Sequence, residues 1–476
     1  MKRQPNILFL MSDEHRADVT GYEGNEIVRT PILDELARTG VVFRNAYTPS
    51  PVCVPGRQCM MAGQRPRTCG CEWFGEDLAP GSMTFARRFA QYAYNTVASG
   101  RLHHMGVDQM QGWTERICGD THVHSSHIEG RNKAAFARYA PPDDGTGKWS
   151  DAKEIQRAGI GVAPHILKDQ LVLEGMLNFI QRYFVAPDYD RPGCHRPLLL
   201  KFSLHQPHYP YFTNREKFTY YVNRVQPFLN QELFPHPWLS MRKVTPGVDV
   251  SVREITRAMA AYYGMIETID EYYGKVLKTL EQVGENLDDW IIVYTSDHGE
   301  MLGEHGIWEK KTFFEASARV PLIIRWPAGF EGGRVVTENV NLYDLFATLC
   351  ELCDIPAPDG LDSRSLAPLL HGERAEWNNE TLSQYGNHLM IKWDHLKYQY
   401  YGRQPESVPA DPGYKPCPYD PANTEVLFDL NDDPKELHNV IEDVNYAAIV
   451  MRFRTRCAEL GFELNAGNDA NTSTQE

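Results

Sequence analysis

Three short runs of the chain are almost wholly apolar: Asn6–Ser12 (NILFLMS), Pro197–Leu204 (PLLLKFSL) and Trp290–Ser296 (WIIVYTS). None alternates polar with apolar residues, so each predicts a strand buried on both faces, as in a parallel sheet covered by helices. Helical patterns lie between such runs. Thr30-Pro31 opens one (ILDELARTG) with a cap residue, a proline in the first turn and a closing glycine. Thr84–Gln91, Val252–Val283 and Tyr343–Cys353 read as further helices, and Val41–Tyr47, Asn95–Ser99 and Pro321–Trp326 as further strands. The alternation predicts an α/β fold, a large and mostly parallel sheet sandwiched by helices.

The character changes after Pro356-Ala-Pro-Asp-Gly. Leu396–Tyr401 and Glu425–Leu430 read as antiparallel strands and Tyr446–Leu460 as a closing helix, a smaller C-terminal α+β layer carrying a short antiparallel sheet. The expected organisation is a catalytic domain over 1–365, a small subdomain over 366–466 and a disordered tail over 467–476. Residues 113–165 are polar and read as an insertion near the site; residues 211–250 are Pro- and aromatic-rich and read as a second insertion there, made of loop. A chain of 476 residues and 54.4 kDa is long enough for one large core plus such a layer.

A net charge of −15 argues against a nucleic-acid or anionic-membrane binder, while leaving room for a local positive site that takes an anion. No stretch is apolar enough to span a membrane. The start, MKRQPNILFLMSDEH, reads as a strand rather than a signal peptide. The ten cysteines lack zinc-type spacing and read as reduced thiols, so a cytoplasmic protein is expected.

Open α/β sheets bind ligands at the C-terminal ends of their strands. The first run ends in Asp13-Glu14 and the third in Asp297-His298. One Asp after a strand is ordinarily a helix cap; two acidic strand ends together supply hard ligands for a divalent cation. The stretch 50–65, SPVCVPGRQCMMAGQR, sets Cys53, Pro55 and Arg57 at the start of a helical turn. Pro55 fits the first turn, and the helix start offers free N–H groups and partial positive charge to a tetrahedral oxyanion. Arg57, one turn on, reaches back to hold residue 53.

This C-x-P-x-R turn resembles the signature of the type I sulfatases, C-x-P-S-R followed by apolar residues and T-G-R, with Gly56, Ala62 and Gln64 departing from it. PNILFLMSDEHR, SGRLHH, QPHYP, SDHGEMLGEHGIWEK and the C-terminal LFDLNDDPKELHN are similar to further family motifs and follow the family's order. The chain thus resembles a formylglycine-dependent sulfatase of the alkaline-phosphatase-like superfamily, of the arylsulfatase or choline-sulfatase kind and related to phosphonate monoester hydrolases.

The resemblance implies that a formylglycine-generating maturation enzyme oxidises Cys53 to an aldehyde. In its hydrate one hydroxyl attacks sulfur and the other loses a proton to expel sulfate. It implies a metal site at Asp13, Glu14, Asp297 and His298 with residue 53, for calcium or, given an imidazole in the set, manganese. His298 either coordinates or hydrogen-bonds the nucleophile or the ester. Arg101, where lysine is usual, would neutralise the ester oxygens, and His103 would hold a formylglycine hydroxyl or act as its base. His208 would be the general acid to the leaving alcohol, and Lys310, with Lys311 its solvent-facing rival, would contact the leaving-group oxygen and the sulfate. His205 and His104 read as supporting or packing residues. Trp73 or Phe74 falls where the family carries a sulfate-contacting Asn.

The implied reaction is hydrolysis of a small-molecule sulfate monoester to an alcohol and inorganic sulfate. Phosphonate monoester or phosphodiester hydrolysis on the same site, and a catalytically inactive binding homologue, are the other readings. The oligomeric state stays open, dimers and tetramers being common among soluble relatives.

Overall fold

The structure is a computed structural model that describes residues 4–119, 151–185, 196–229, 244–373, 376–410 and 423–463, together with Gln231, Phe234, His236, Leu239 and Tyr419. Eight strands form the main sheet: β1 (Ile7–Asp13), β2 (Val41–Phe43), β4 (Asn95–Gly100), β5 (Glu115–Arg116), β7 (Leu198–Pro207), β9 (Ile291–Ser296), β10 (Leu322–Arg325) and β11 (Arg334–Val336). Two short parallel ladders stand beside it, β3 (Ala46–Tyr47) with β12 (Val340–Asn341) and β6 (Gly159–Ile160) with β8 (Phe212–Thr213). The main sheet runs in the order β11-β2-β10-β9-β1-β7-β4-β5.

β1 lies between β7 and β9 and is parallel to both. Its Ile7, Phe9 and Met11 enter one core and its Leu8 and Leu10 the other, which is why the run shows no alternation. Only β10 departs from the parallel pattern, running antiparallel to β9 and to β2. The 31-residue helix Val252–Gln282 covers one face, started by a reciprocal cap between Ser251 and Glu254.

Two expectations need correction, and one helix is new. Val41–Tyr47 is two strands, because after Phe43 the chain leaves the main sheet and Ala46–Tyr47 pairs with β12 instead. The 21-residue helix Pro164–Phe184 is an element the sequence reading lacks, although its buried Val172, Met176, Ile180 and Phe184 recur every four residues. The stretch 211–250, read as loop, contains β8 and the helix Arg215–Tyr221, whose cap Asn214 accepts from the Lys217 amide at 2.9 Å. Most of the 113–165 insertion and the 467–476 tail lie outside the described residues.

The C-terminal strands β13 (Glu380–Tyr385), β14 (His388–Trp393), β15 (Leu396–Tyr401) and β16 (Glu425–Asp429) form an antiparallel sheet. The helix Ala447–Glu459 packs Val450, Phe453 and Cys457 on one face of it. The other face sets Met390, Tyr401, Val426 and Phe428 against Phe313 and Phe314 of the main body. Lys397 crosses this seam fully buried, 2.8 Å from both Glu315 and Glu436.

Candidate active site

The C-terminal ends of β1, β7 and β9 meet the start of the helix Cys53–Ala62, and their polar residues are buried together. The Cys53 sulfur lies 3.0 Å from His298 Nε2 and 3.5 Å from Asp13 Oδ1. His298 Nδ1 donates to the Gly299 carbonyl at 2.9 Å, which leaves the Nε2 lone pair turned toward residue 53.

Arg57 is the hub. Its Nε donates to Asp297 Oδ2 at 2.7 Å, and its two terminal nitrogens reach Asp13 Oδ2 at 3.0 Å, Ser203 Oγ at 2.9 Å and the Arg101 carbonyl at 2.6 Å. The Arg101 Nε pairs with Asp13 Oδ2 at 2.5 Å, and its guanidinium touches His205 Nδ1. Burial opposes a charge on Asp13, but Arg101 and Arg57 overcome it and hold the carboxyl well below the usual range. Each aspartate therefore gives one oxygen to arginine and turns Oδ1 toward Cys53 and His298.

Glu14 departs from this cluster. It sits at φ +68° with Oε2 2.8 Å from Lys310 Nζ and 3.3 Å from His208 Nε2, while Oε1 is buried without a hydrogen-bond partner among the described residues. Burial raises its carboxyl well above the ordinary value, more than the Lys310 cation lowers it. Lys310 Nζ is 2.6 Å from His208 Nε2, and His208 Nδ1 donates to the Tyr209 carbonyl at 2.7 Å. Burial and then Lys310 push the His208 pKa well down, so in this pair the lysine carries the proton and the imidazole accepts.

The choice between the two lysines is thus made by burial: Lys310 points inward, whereas Lys311 is partly exposed. His103, at φ +57°, has its carbonyl held by Gln58 Nε2 at 2.8 Å and its ring edge-on to Phe74, centroids 6.4 Å apart. The position where an Asn was expected therefore presents an aromatic wall. His104 turns away, its Nδ1 3.1 Å from the Gln109 carbonyl, and Trp113 packs edge-on against Phe85 in the core.

Supporting residues escaped sequence reasoning. Asp169, on the helix Pro164–Phe184, accepts from the amides of His205 and Gln206 at 2.8 and 2.9 Å and so fixes the approach to His208. Glu300 accepts from the Leu302 and Glu309 amides and the Tyr211 hydroxyl, folding the loop that delivers Lys310. Buried acids that bond backbone amides leave no spacing pattern; only the run SDHGE placed Glu300 near a strand end.

Two groups of atoms lie close enough to share one cation, Asp13, Cys53, Asp297 and His298, and Asp13, Glu14 and His208. Converging carboxylate oxygens and the unpartnered Glu14 Oε1 fit a hard divalent cation with one nitrogen ligand.

The sequence profile of the sulfatase family matches residues 5–355. The chain belongs to the sulfatase family. A second profile, N-sulphoglucosamine sulphohydrolase C-terminal, matches residues 303–462 of this sulfatase. It is 30% identical to a choline-sulfatase of Rhizobium meliloti over 92% of its own length and 83% of that protein's. It is 27% identical to an arylsulfatase of Clostridium perfringens, over 93% and 91%. The fold is alkaline-phosphatase-like, shared at a TM-score of 0.73 and 20% identity with the phosphonate monoester hydrolase of Agrobacterium radiobacter, over 96% of this chain and 95% of that one. The protein is a sulfuric ester hydrolase.

Proposed function

We propose that this sulfatase hydrolyses a small-molecule sulfate monoester by S–O cleavage at residue 53, after a formylglycine-generating enzyme has converted Cys53 to the aldehyde. The observation that carries this reading is the setting of Cys53, the first residue of its helix, whose Sγ lies 3.0 Å from His298 Nε2 and 3.5 Å from Asp13 Oδ1 in a group compact enough to share one cation. As a hydrated aldehyde, residue 53 supplies one hydroxyl to take the sulfuryl group and a second whose deprotonation releases sulfate.

Asp13, Asp297 and His298, with Glu14 beside them, are the residues to hold a divalent cation, calcium or manganese. When bound, that cation draws charge from the sulfate oxygens. The chain's own groups do the rest. Arg57 fixes Asp13, Asp297 and the helix start in one unit. Arg101 and Lys310 place positive charge where the sulfate oxygens gather, and His298 Nε2 accepts a hydrogen bond from residue 53. Lys310 holds a proton 2.6 Å from His208 Nε2, so the pair carries it to the leaving alcohol. Phe74 gives the alcohol side an apolar wall.

The test is the mass of the Cys53 peptide after co-expression with the maturation enzyme, followed by rates on aryl sulfate and aryl phosphonate. The aldehyde mass and a preference for sulfate are expected, and Cys53→Ala should abolish turnover with the fold kept. An untouched thiol, or full activity in that variant, would sink the mechanism. A phosphonate preference would move the assignment to the sibling chemistry on the same groups.

A further inference from the structure

Three cysteines that the reaction does not use lie behind the nucleophile. Cys59 is on the helix Cys53–Ala62, Cys69 ends the short helix Pro66–Cys69, and Cys71 follows across Gly70. The Cys59 and Cys69 sulfurs are 3.5 Å apart, the contact of two unbonded thiols. Cys69 Sγ also reaches the Pro66 carbonyl at 3.6 Å, and Cys59 Sγ the Cys71 carbonyl at 3.9 Å. Cys59 and Cys71 are fully buried while Cys69 is half-buried, so an oxidant arriving from solvent meets Cys69 first. The three sulfurs are not among the described groups compact enough for one metal ion, which argues against a thiolate metal cage.

We propose that Cys59 and Cys69 form a reversible dithiol–disulfide pair, a covalent modification site on the nucleophile helix that takes a peroxide as oxidant. The Cys69 sulfur attacks the peroxide O–O bond, which leaves a sulfenic acid on Cys69 and releases one water. The Cys59 sulfur displaces the hydroxyl as the second water and the S–S bond forms. Two thiols lose two electrons and two protons, and the peroxide takes them up. The sulfurs have to close from 3.5 Å to about 2.05 Å, a shift within reach of the exposed Cys69 turn. The half-buried Cys69 is the thiol a peroxide reaches, and the fully buried Cys59 beside it resolves the sulfenic acid.

The bridge would tie the C-terminal half of the nucleophile helix to the segment that continues into Glu72 and Phe74. Glu72 is held by Gln384 at 2.5 Å, and Phe74 stands against His103. The modification therefore joins the helix carrying residue 53 to the wall of its own site.

The experiment treats the full chain with hydrogen peroxide, blocks remaining thiols with iodoacetamide in denaturant, and maps tryptic peptides without reductant. Trypsin cuts after Arg57 and Arg67, so Cys59 and Cys69 fall on separate peptides. The expected result is a linked pair two hydrogens lighter than the sum of the free peptides. It should disappear with dithiothreitol, be absent from Cys69→Ser and persist in Cys71→Ser. Alkylated, unlinked Cys59 would overturn the proposal, as would a link confined to the peptide holding Cys69 and Cys71. The mapping needs no turnover, so it stands or falls apart from the sulfate ester reading.

Discussion

At the scale of single residues, the site is held by charges that cannot be removed one at a time. Arg57 is fully buried between Asp13 and Asp297, 3.0 Å from one carboxylate and 2.7 Å from the other, so its removal would leave both acids buried without that counter-charge. His208 is different, because in the proposed mechanism its part is to deliver a proton to the leaving group. His208→Gln should lower turnover of an alkyl sulfate about 100- to 10,000-fold, the usual range for a lost proton donor. A nitrophenyl sulfate, whose leaving group needs no proton, should lose far less. Equal losses on both would remove His208 from proton delivery. Chelation should also depress turnover, with calcium or manganese restoring it; unchanged activity after exhaustive chelation would exclude the cation site.

At the scale of elements, buried carboxylates on the helices tie them to the strands that carry the site and to one another. Asp270, on the long helix Val252–Gln282, accepts from the Ile32 and Leu33 amides at the start of the helix Pro31–Thr39. Burial raises its carboxyl to about 7, above the ordinary value. A raised folded-state pKa means the native chain binds this proton more tightly than the unfolded one. The associated stability is full below about pH 4 and is lost as pH rises through 7. Asp270→Asn has no such proton, so its thermal deficit against the wild type should be larger at pH 5 than at pH 8. A deficit independent of pH would contradict the assignment.

At the scale of the whole molecule, the C-terminal sheet is sealed to the main body by aromatic packing around one buried ion triad. Lys397 sits between Glu315 and Glu436, with Lys392 close by and its own pKa lowered by burial to about 8. Lys397→Ala strands two carboxylates in a dry seam and should cost about 3–5 kcal/mol of unfolding free energy. The cost should shrink toward pH 5, because Glu436, raised by burial to about 7, then takes a proton. Denaturant unfolding at pH 8 and pH 5 checks both the size and the trend.

The sequence by itself determined the parallel core, because strands buried on both faces must be apolar at every position, as Ile7–Met11 and Ile291–Tyr294 are. It also placed Asp13, Cys53, Asp297, His208 and Lys310 at strand ends and turns, since the backbone there fixes where a side chain emerges. The resemblance already put Lys310 ahead of Lys311. Only the tertiary structure supplied the burial that separates them, for neighbouring residues in a loop carry no periodicity to say which points inward. It alone moved Glu14 to the His208 side of the site, through a left-handed φ that the letters do not encode. It alone revealed Asp169, Glu300 and the Cys59–Cys69 contact. These pair residues far apart in the chain, or bond to backbone amides, and such partners are chosen by packing, which leaves no local pattern to read.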